Sequence, residues 1–481
     1  MGRKMANKNE NKNQIEIKEL EDRYEIFVNY AFETTAPITE RTILVSSAYG
    51  LGLDEAKNFK LYDNCKFQVK KADIVLVNGD SGSGKSWILE NVFKKIEGAI
   101  SMSDIKIAND EVVIEGIGKD LNDALMKLNI AGLGDAFLYL RKYSQLSDGQ
   151  KYRYKIAKLL DCDDKDIWIL DEFCATLSRT QAQIISFNLQ KIARKLGKTI
   201  IVATTHTDLF DHIRPNLHIV KGFGSDVSTG YYDDICWKDK KLDILNDITI
   251  EEGSSLDYSK LKDYHYRQAH LPAVKKIYRM LYRDKLIGVM VISYPHLTLK
   301  ARNIYTGNAY AKMSKENCDR LNADFECIAR VIIDPVFRGI GLAHYFVEQY
   351  LEKFAQTKYV ETISVLSTSN PFFEKAGMVP IPVGDDVNRL KSVKRLEQFG
   401  YDVRLLSSAR YNESIYDTLT DEQKEAVKNI VKSVLKKYKG QIPKLFSQDK
   451  NIDKVVDENL FELMKELLRN RTLYLVKKMR D

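Results

Sequence analysis

The sequence is poor in the residues that staple, cage or anchor a fold. Its six cysteines (Cys65, Cys162, Cys174, Cys236, Cys318 and Cys327) are scattered without a CxxC pair, which argues against a disulfide framework and a thiolate zinc site. The seven histidines fall into no ligand spacing. No apolar run approaches the ~18–20 residues that a membrane-spanning helix needs. Residues 1–14 are rich in Lys, Asn and Glu and lack the apolar centre of a secretory signal. These absences predict a reducing, cytoplasmic compartment and a disordered tail over residues 1–20. Charge of one sign is also scarce: 74 Lys and Arg against 67 Asp and Glu leave +7 over 481 residues. That balance permits a nucleic-acid partner without requiring one.

What is present is globular material, 44% hydrophobic and 29% charged, enough for about three folded units. Over residues 21–245, apolar runs at 74–77, 167–170 and 199–203 alternate with helical segments. This pattern predicts an α/β fold with a mainly parallel sheet. A polar break at 251–255 precedes a second, mixed α/β unit over 250–385, with strand candidates at 286–294, 327–334 and 360–365. Residues 386–481 read as a helical, basic C-terminal region.

The first chemical motif is a phosphate cradle. The apolar run 74–77 leads into Gly79, Asp80, Ser81, Gly82, Ser83, Gly84, Lys85 and Ser86, a GxxxxGK[ST] pattern between a strand and a helix. Glycines let the backbone N–H groups turn inward on a phosphate, and the helix N-terminus adds a favourable dipole. Lys85 supplies the counter-charge to the β- and γ-phosphates of ATP, and the Ser86 hydroxyl is a ligand for Mg²⁺.

Further along, Leu146-Ser147-Asp148-Gly149-Gln150 heads a helix, and an apolar strand ends in Asp171-Glu172. A third apolar strand then leads to His206. In order and spacing these motifs resemble the ABC ATPases. The resemblance implies that Ser147, Gly149 and Gln150 belong to the signature, and that Asp171 holds Mg²⁺ through water. It implies that Glu172 orients or deprotonates the attacking water and that His206 contacts the γ-phosphate. Tyr49 is the candidate for stacking on adenine. The family also implies an ATP-dependent head-to-tail homodimer. Two features depart from the pattern: Asp148 replaces a signature glycine, and no glutamine occurs between Trp87 and Ser144. The missing Q-loop residue argues against a membrane subunit as partner and towards ABC proteins that act on nucleic acids or ribosomes.

In the second unit, a strand holding Val331 and Ile333 is stopped by Pro335, and Arg338-Gly339-Ile340-Gly341-Leu342-Ala343 opens a helix. This RxxGxA turn resembles the pyrophosphate-binding turn of the GNAT acyltransferases. The following strand and the segment from Asn370 to Met378 continue the likeness. It implies an N-acyltransferase that holds acyl-CoA, acetyl-CoA for example, at Val331, Ile333, Arg338, Gly339, Gly341, Ala343 and Asn370. Glu326 is the candidate base. Phe373 stands where many members place a proton-donating tyrosine. His265, Tyr266 and Arg267 resemble part of the Mom-type DNA-modifying enzymes and would line an acceptor pocket. Over residues 385–481, 21 Lys and Arg stand against 16 Asp and Glu, and Lys428, Lys432, Lys436 and Lys439, on one helix face, could track the phosphates of DNA or RNA. Two readings stand open: an ATP-driven acyltransferase acting on a macromolecule, and an ATP-gated nucleic-acid clamp whose GNAT-like module is not catalytic.

Overall fold

A computed structural model describes residues 13–34, 36–50, 57–237, 243–265, 271–365, 370–382, 387–437, 452–467 and 472–479. The chain forms two compact units, Met1–Val291 with Arg330–Gln349, and Ile292–Ala329 with Tyr350–Asp481. The segment Arg330–Gln349, which carries the RxxGxA turn, goes with the first unit.

In the first unit an antiparallel sheet comes first, from β1 (Gln14–Glu19), β2 (Arg23–Thr34) and β3 (Lys57–Lys70) in that order. β1 lies inside the stretch expected to be a disordered tail. Its Ile15 and Ile17 pack on the core behind the sheet, and this alternation of two isoleucines among charged residues is the signal the composition hid. A six-stranded sheet follows, built from β4 (Ile74–Asn78), β5 (Ala99–Ser101), β6 (Ile167–Leu170), β7 (Thr199–Thr204), β8 (Leu217–Lys221) and β9 (Val227–Tyr231). Its order is β5-β6-β7-β4-β8-β9, parallel except for β9.

The period of two along each strand sorts the core. Ile74, Leu76, Trp168, Leu170, Ile200 and Val202 face one cluster, shared with the helices Leu121–Ile130, Asp148–Leu160 and Arg179–Leu196. Val75, Val77, Ile167, Ile169, Ile201 and Ala203 face the other, shared with the antiparallel sheet. Burial on both faces is why these strands read as unbroken apolar runs. It also puts the C-terminal ends of β4, β6 and β7 side by side, where Asn78 pairs with Thr204 and Leu170 with Val202.

Three more strands belong to the first unit, β10 (Ile248–Glu252) antiparallel to β11 (Val274–Tyr282), and β12 (Lys285–Ser293) as far as Val291. The second unit holds β13 (Phe325–Ile333, as far as Ala329), β14 (Tyr359–Ser364), β15 (Val379–Ile381) and β16 (Leu473–Lys478). β13 and β14 are parallel but paired only from Phe325–Cys327 to Tyr359–Glu361. β16 runs antiparallel to both β14 and β15 and lies between them. The C-terminal region was expected to be wholly helical. The four apolar residues Leu473–Val476, set among Arg and Lys, instead complete a sheet. The remaining tail helices, Asp421–Lys437 and Ile452–Leu467 among them, enclose an apolar core of their own around Val427, Val431, Val456 and Met464.

Candidate functional site

The loop between β4 and the helix Lys85–Asn91 has the backbone that its glycines suggest. Gly82 and Gly84 are left-handed at φ 76° and 105°, conformations that cost side-chain-bearing residues steric strain. A Cβ on Gly79 would collide with the carbonyl of Lys221, so the loop can press against β8 only with glycine there. From the other side Leu61 lies against Gly84, and the Tyr62 hydroxyl donates to the Gly84 carbonyl at 3.0 Å. The Lys85 ammonium donates to the carbonyls of Gly79 (2.8 Å) and Asp80 (2.7 Å). Burial lowers its pKa, while the charges of Asp171, Asp80 and Glu172 work in the opposite direction. Inside the loop the buried Ser83 hydroxyl has no hydrogen-bond partner. An orphan donor, left-handed glycines and a lysine beside two carboxylates fit a phosphate group with a divalent cation. Among the described residues no cluster of three His, Cys, Asp or Glu could hold a metal alone. A Mg²⁺ ion at Ser86 and Asp171 would thus draw its remaining ligands from phosphate and water.

At the end of β6, Asp171 accepts the amide of Glu172 (2.8 Å), and Glu172 itself is exposed with φ 47°. Cys174 is left-handed too, at φ 60°. Two such non-glycine residues in one turn store strain that the surroundings must hold in place. At the end of β7, His206 has a lowered pKa, from burial and from the Arg179 guanidinium. Both disfavour its charged form. Arg179 in turn is ion-paired with Asp208.

Asn78 was missed in the sequence. Its amide donates to the carbonyls of Thr204 (3.0 Å) and His206 (3.3 Å), and its Oδ1 meets His218 Nε2 at 2.9 Å. It thereby ties the cradle strand to the histidine loop. A polar residue closing a fully apolar strand was the available signal.

Ser147, Gly149 and Gln150 stand at the head of the helix Asp148–Leu160. Ser147 and Gln150 form a reciprocal capping box, and nothing lies nearer than 3.8 Å to where a Cβ on Gly149 would be. Tyr49 ends the helix Glu40–Tyr49, which has no buried residue, and is 76% exposed. Two other aromatics flank the cradle. Phe59 lies two residues from Leu61, and Phe223 two residues from Lys221. Their rings pack edge to face at 5.6 Å, and both are exposed.

The RxxGxA turn is occupied differently from the expectation. The Arg338 guanidinium donates to the carbonyls of Ile333 (2.9 Å), Tyr264 (3.2 Å) and Gly134, and a Cβ on Gly339 would press on the Asn129 carbonyl. This arginine anchors the turn to residues 129–134 and does not stand free for a diphosphate. Gly341 differs: it is left-handed at φ 87°, with open space around it, just before the helix Leu342–Lys353 that Ala343 continues.

Val331 and Ile333 lie on β13, and Asn370 is exposed. The expected base, Glu326, is buried and accepts the Tyr350 hydroxyl at 2.7 Å. Burial pushes the Cys327 thiol up to about 12, which makes it a poor nucleophile. Phe373 is buried, its ring tilted against that of Phe372 with centroids 4.2 Å apart. His265 is buried against Arg330 (3.0 Å), whereas Tyr266 and Arg267 lie outside the described residues. Of the lysine stripe, Lys428 pairs with Asp457 (2.6 Å) and Lys432 with Asp453 (3.2 Å). Those two lysines bridge neighbouring helices; Lys436 is exposed and Lys439 lies outside the described residues.

The cassette has clear relatives. The cytochrome c biogenesis ATP-binding export protein CcmA of Reclinomonas americana is 31% identical over 195 residues, which is 33% of this chain and 83% of that protein. The ribosome protection protein VmlR of Bacillus subtilis is 29% identical over 153 residues, 31% of this chain but only 26% of its own length. A solved dimeric ATP-binding cassette in a post-hydrolysis state, with ADP and phosphate bound, shares 18% identity over 42% of this chain and 97% of its own, at a TM-score of 0.30. No protein-family model matches the chain. The chain belongs to the ATP-binding cassette, or ABC, ATPases, a family that works with ATP and Mg²⁺. Among the described residues no helix is long and apolar enough to cross a membrane.

Proposed function

We propose that this protein binds Mg-ATP on the loop from Gly79 to Ser86 and hydrolyses it, two copies closing head to tail so that each LSDGQ segment covers the other's nucleotide. The observation that carries the reading is the adjacency of three strand ends: β4, which leads into the loop, pairs with β7, which leads to His206, and β7 pairs with β6, which leads to Asp171 and Glu172. Ser86 and, through water, Asp171 would hold Mg²⁺, which would supply positive charge beside the phosphates. Lys85 exchanges its two loop carbonyls for phosphate oxygens, Glu172 orients the attacking water, and His206 contacts the γ-phosphate. Phe59 and Phe223 offer the purine a platform in place of Tyr49. Phosphate release from ATP is the test. Turnover is expected with Mg²⁺ and should vanish with EDTA; a folded wild-type chain without turnover overturns the reading.

A second reading, a GNAT-type domain that holds acyl-CoA, is favoured by two observations. One is the short parallel pairing of β13 and β14 with β16 between β14 and β15. The other is the open, left-handed Gly341 at a helix start. Amide groups from Gly341 to Ala343 would then carry the diphosphate without Arg338. With Glu326 bonded to Tyr350 and phenylalanine at 373, binding is better supported than acyl transfer. The ion-paired Lys428 and Lys432 lend little to a DNA or RNA acceptor. Calorimetry of the full chain with CoA and acetyl-CoA should show binding, weakened at least about tenfold by Gly341→Val, which fills the space and strains the turn. If the folded wild-type chain binds neither compound, this reading fails.

A further inference from the structure

We infer that Tyr152, on the signature helix Asp148–Leu160, is a positioning residue for Glu172. The inference rests on the ATPase reading above and names a part of its machinery that the motifs do not contain.

The turn after β6 is strained at Glu172 and Cys174, so its shape depends on what grips it. Three hydrogen bonds do so at its centre. The Phe173 amide donates to the Ala203 carbonyl at 2.8 Å, and the Thr204 hydroxyl donates to the Phe173 carbonyl at 3.0 Å. Both of these come from β7, the strand that ends near His206. The third comes from elsewhere: the Cys174 amide donates to the Tyr152 hydroxyl at 2.8 Å.

Tyr152 follows Gln150 by two residues, and its ring packs on the core beneath the helix. The next residue, Arg153, donates to the Gly132 carbonyl at 2.7 Å and fixes the same helix to the loop before it. The backbone that aims Glu172 is thus held by β7 on one side and by the signature helix on the other. A shift of that helix would reach the backbone beside Glu172 through this hydroxyl. Tyr152 touches no reacting atom in this scheme. It acts by holding the left-handed backbone from which the carboxylate projects.

The experiment is a double-mutant cycle on the full chain with Tyr152→Phe and Glu172→Gln. Tyr152→Phe keeps the ring and removes only the acceptor. Loss of one such bond should lower kcat roughly fivefold with the KM for ATP unchanged. In the Glu172→Gln background the same change should alter the residual rate by less than about twofold, because the group it positions is already disabled. A wild-type kcat in Tyr152→Phe, or an equal loss in both backgrounds, overturns the inference and leaves the ATPase reading standing. Unchanged turnover in Glu172→Gln alone overturns the inference together with the role given to Glu172, whereas a folded wild-type chain without turnover overturns the ATPase reading itself. Should Tyr152→Phe not fold, hydrogen exchange at the Cys174 amide of the wild type decides. Protection is expected, and exchange at the rate of an open loop refutes the bond.

Discussion

Glu172→Gln is expected to slow ATP turnover ~10²-fold or more while leaving ATP affinity within a few-fold of wild type. The side chain is exposed at the end of β6 and makes none of the contacts that shape the cradle. Those belong to Gly79, Leu61, Tyr62 and Lys85. Amide for carboxylate keeps size and removes the charge that orients or deprotonates water. Binding therefore survives where chemistry does not. With hydrolysis stalled, the closed dimer should accumulate, and light scattering with and without ATP would show the doubled mass. Single-turnover phosphate release measures the rate. A turnover equal to wild type would remove Glu172 from the mechanism, and with it the order of motifs on which its role was based.

The second large effect concerns the integrity of the second unit. Arg302 and Glu361 are both fully buried and joined by two hydrogen bonds of 2.8 and 2.6 Å, Nε to Oε2 and a terminal nitrogen to Oε1. The Tyr474 hydroxyl donates to the same carboxylate at 2.7 Å, and Arg302 also donates to the His296 carbonyl. This network joins the helix Lys300–Tyr305, β14 and the C-terminal strand β16. Arg302→Ala would strand Glu361 without its counter-ion, which typically costs ~3–5 kcal/mol. Arg302→Met with Glu361→Leu removes both charges together and should recover most of that loss. Chemical denaturation followed by calorimetry measures both. A single variant as stable as wild type would show that the pair is not held dry.

The signals differed in how far they reached along the chain. β4, β6 and β7 were visible because strands buried on both faces carry unbroken apolar runs. β1 was hidden by lysines and glutamates around its two isoleucines. β16 was hidden because four apolar residues among Arg and Lys do not announce a strand until β14 and β15 are there to flank it. Tyr49 lies on an exposed helix. That Leu61 and Lys221 lie against the loop is not written in the sequence, because they come from strands far apart in it. Among the lysines of the tail, helical spacing correctly placed Lys428 and Lys432 on one face, but it could not show the aspartates of a second helix opposite them.

By itself the sequence determined the glycine-rich turn between β4 and its helix, the Asp171–Glu172 strand end and the family, because glycine freedom, helix starts and strand burial are requirements written within a few residues. Only the tertiary structure decided how Arg338 and Tyr152 are used. Two of the carbonyls that hold Arg338 belong to residues 204 and 74 positions away, and the amide that meets Tyr152 is 22 positions on. A hydrogen bond forms wherever folding brings donor and acceptor together, and no local pattern records which distant carbonyl or amide that will be.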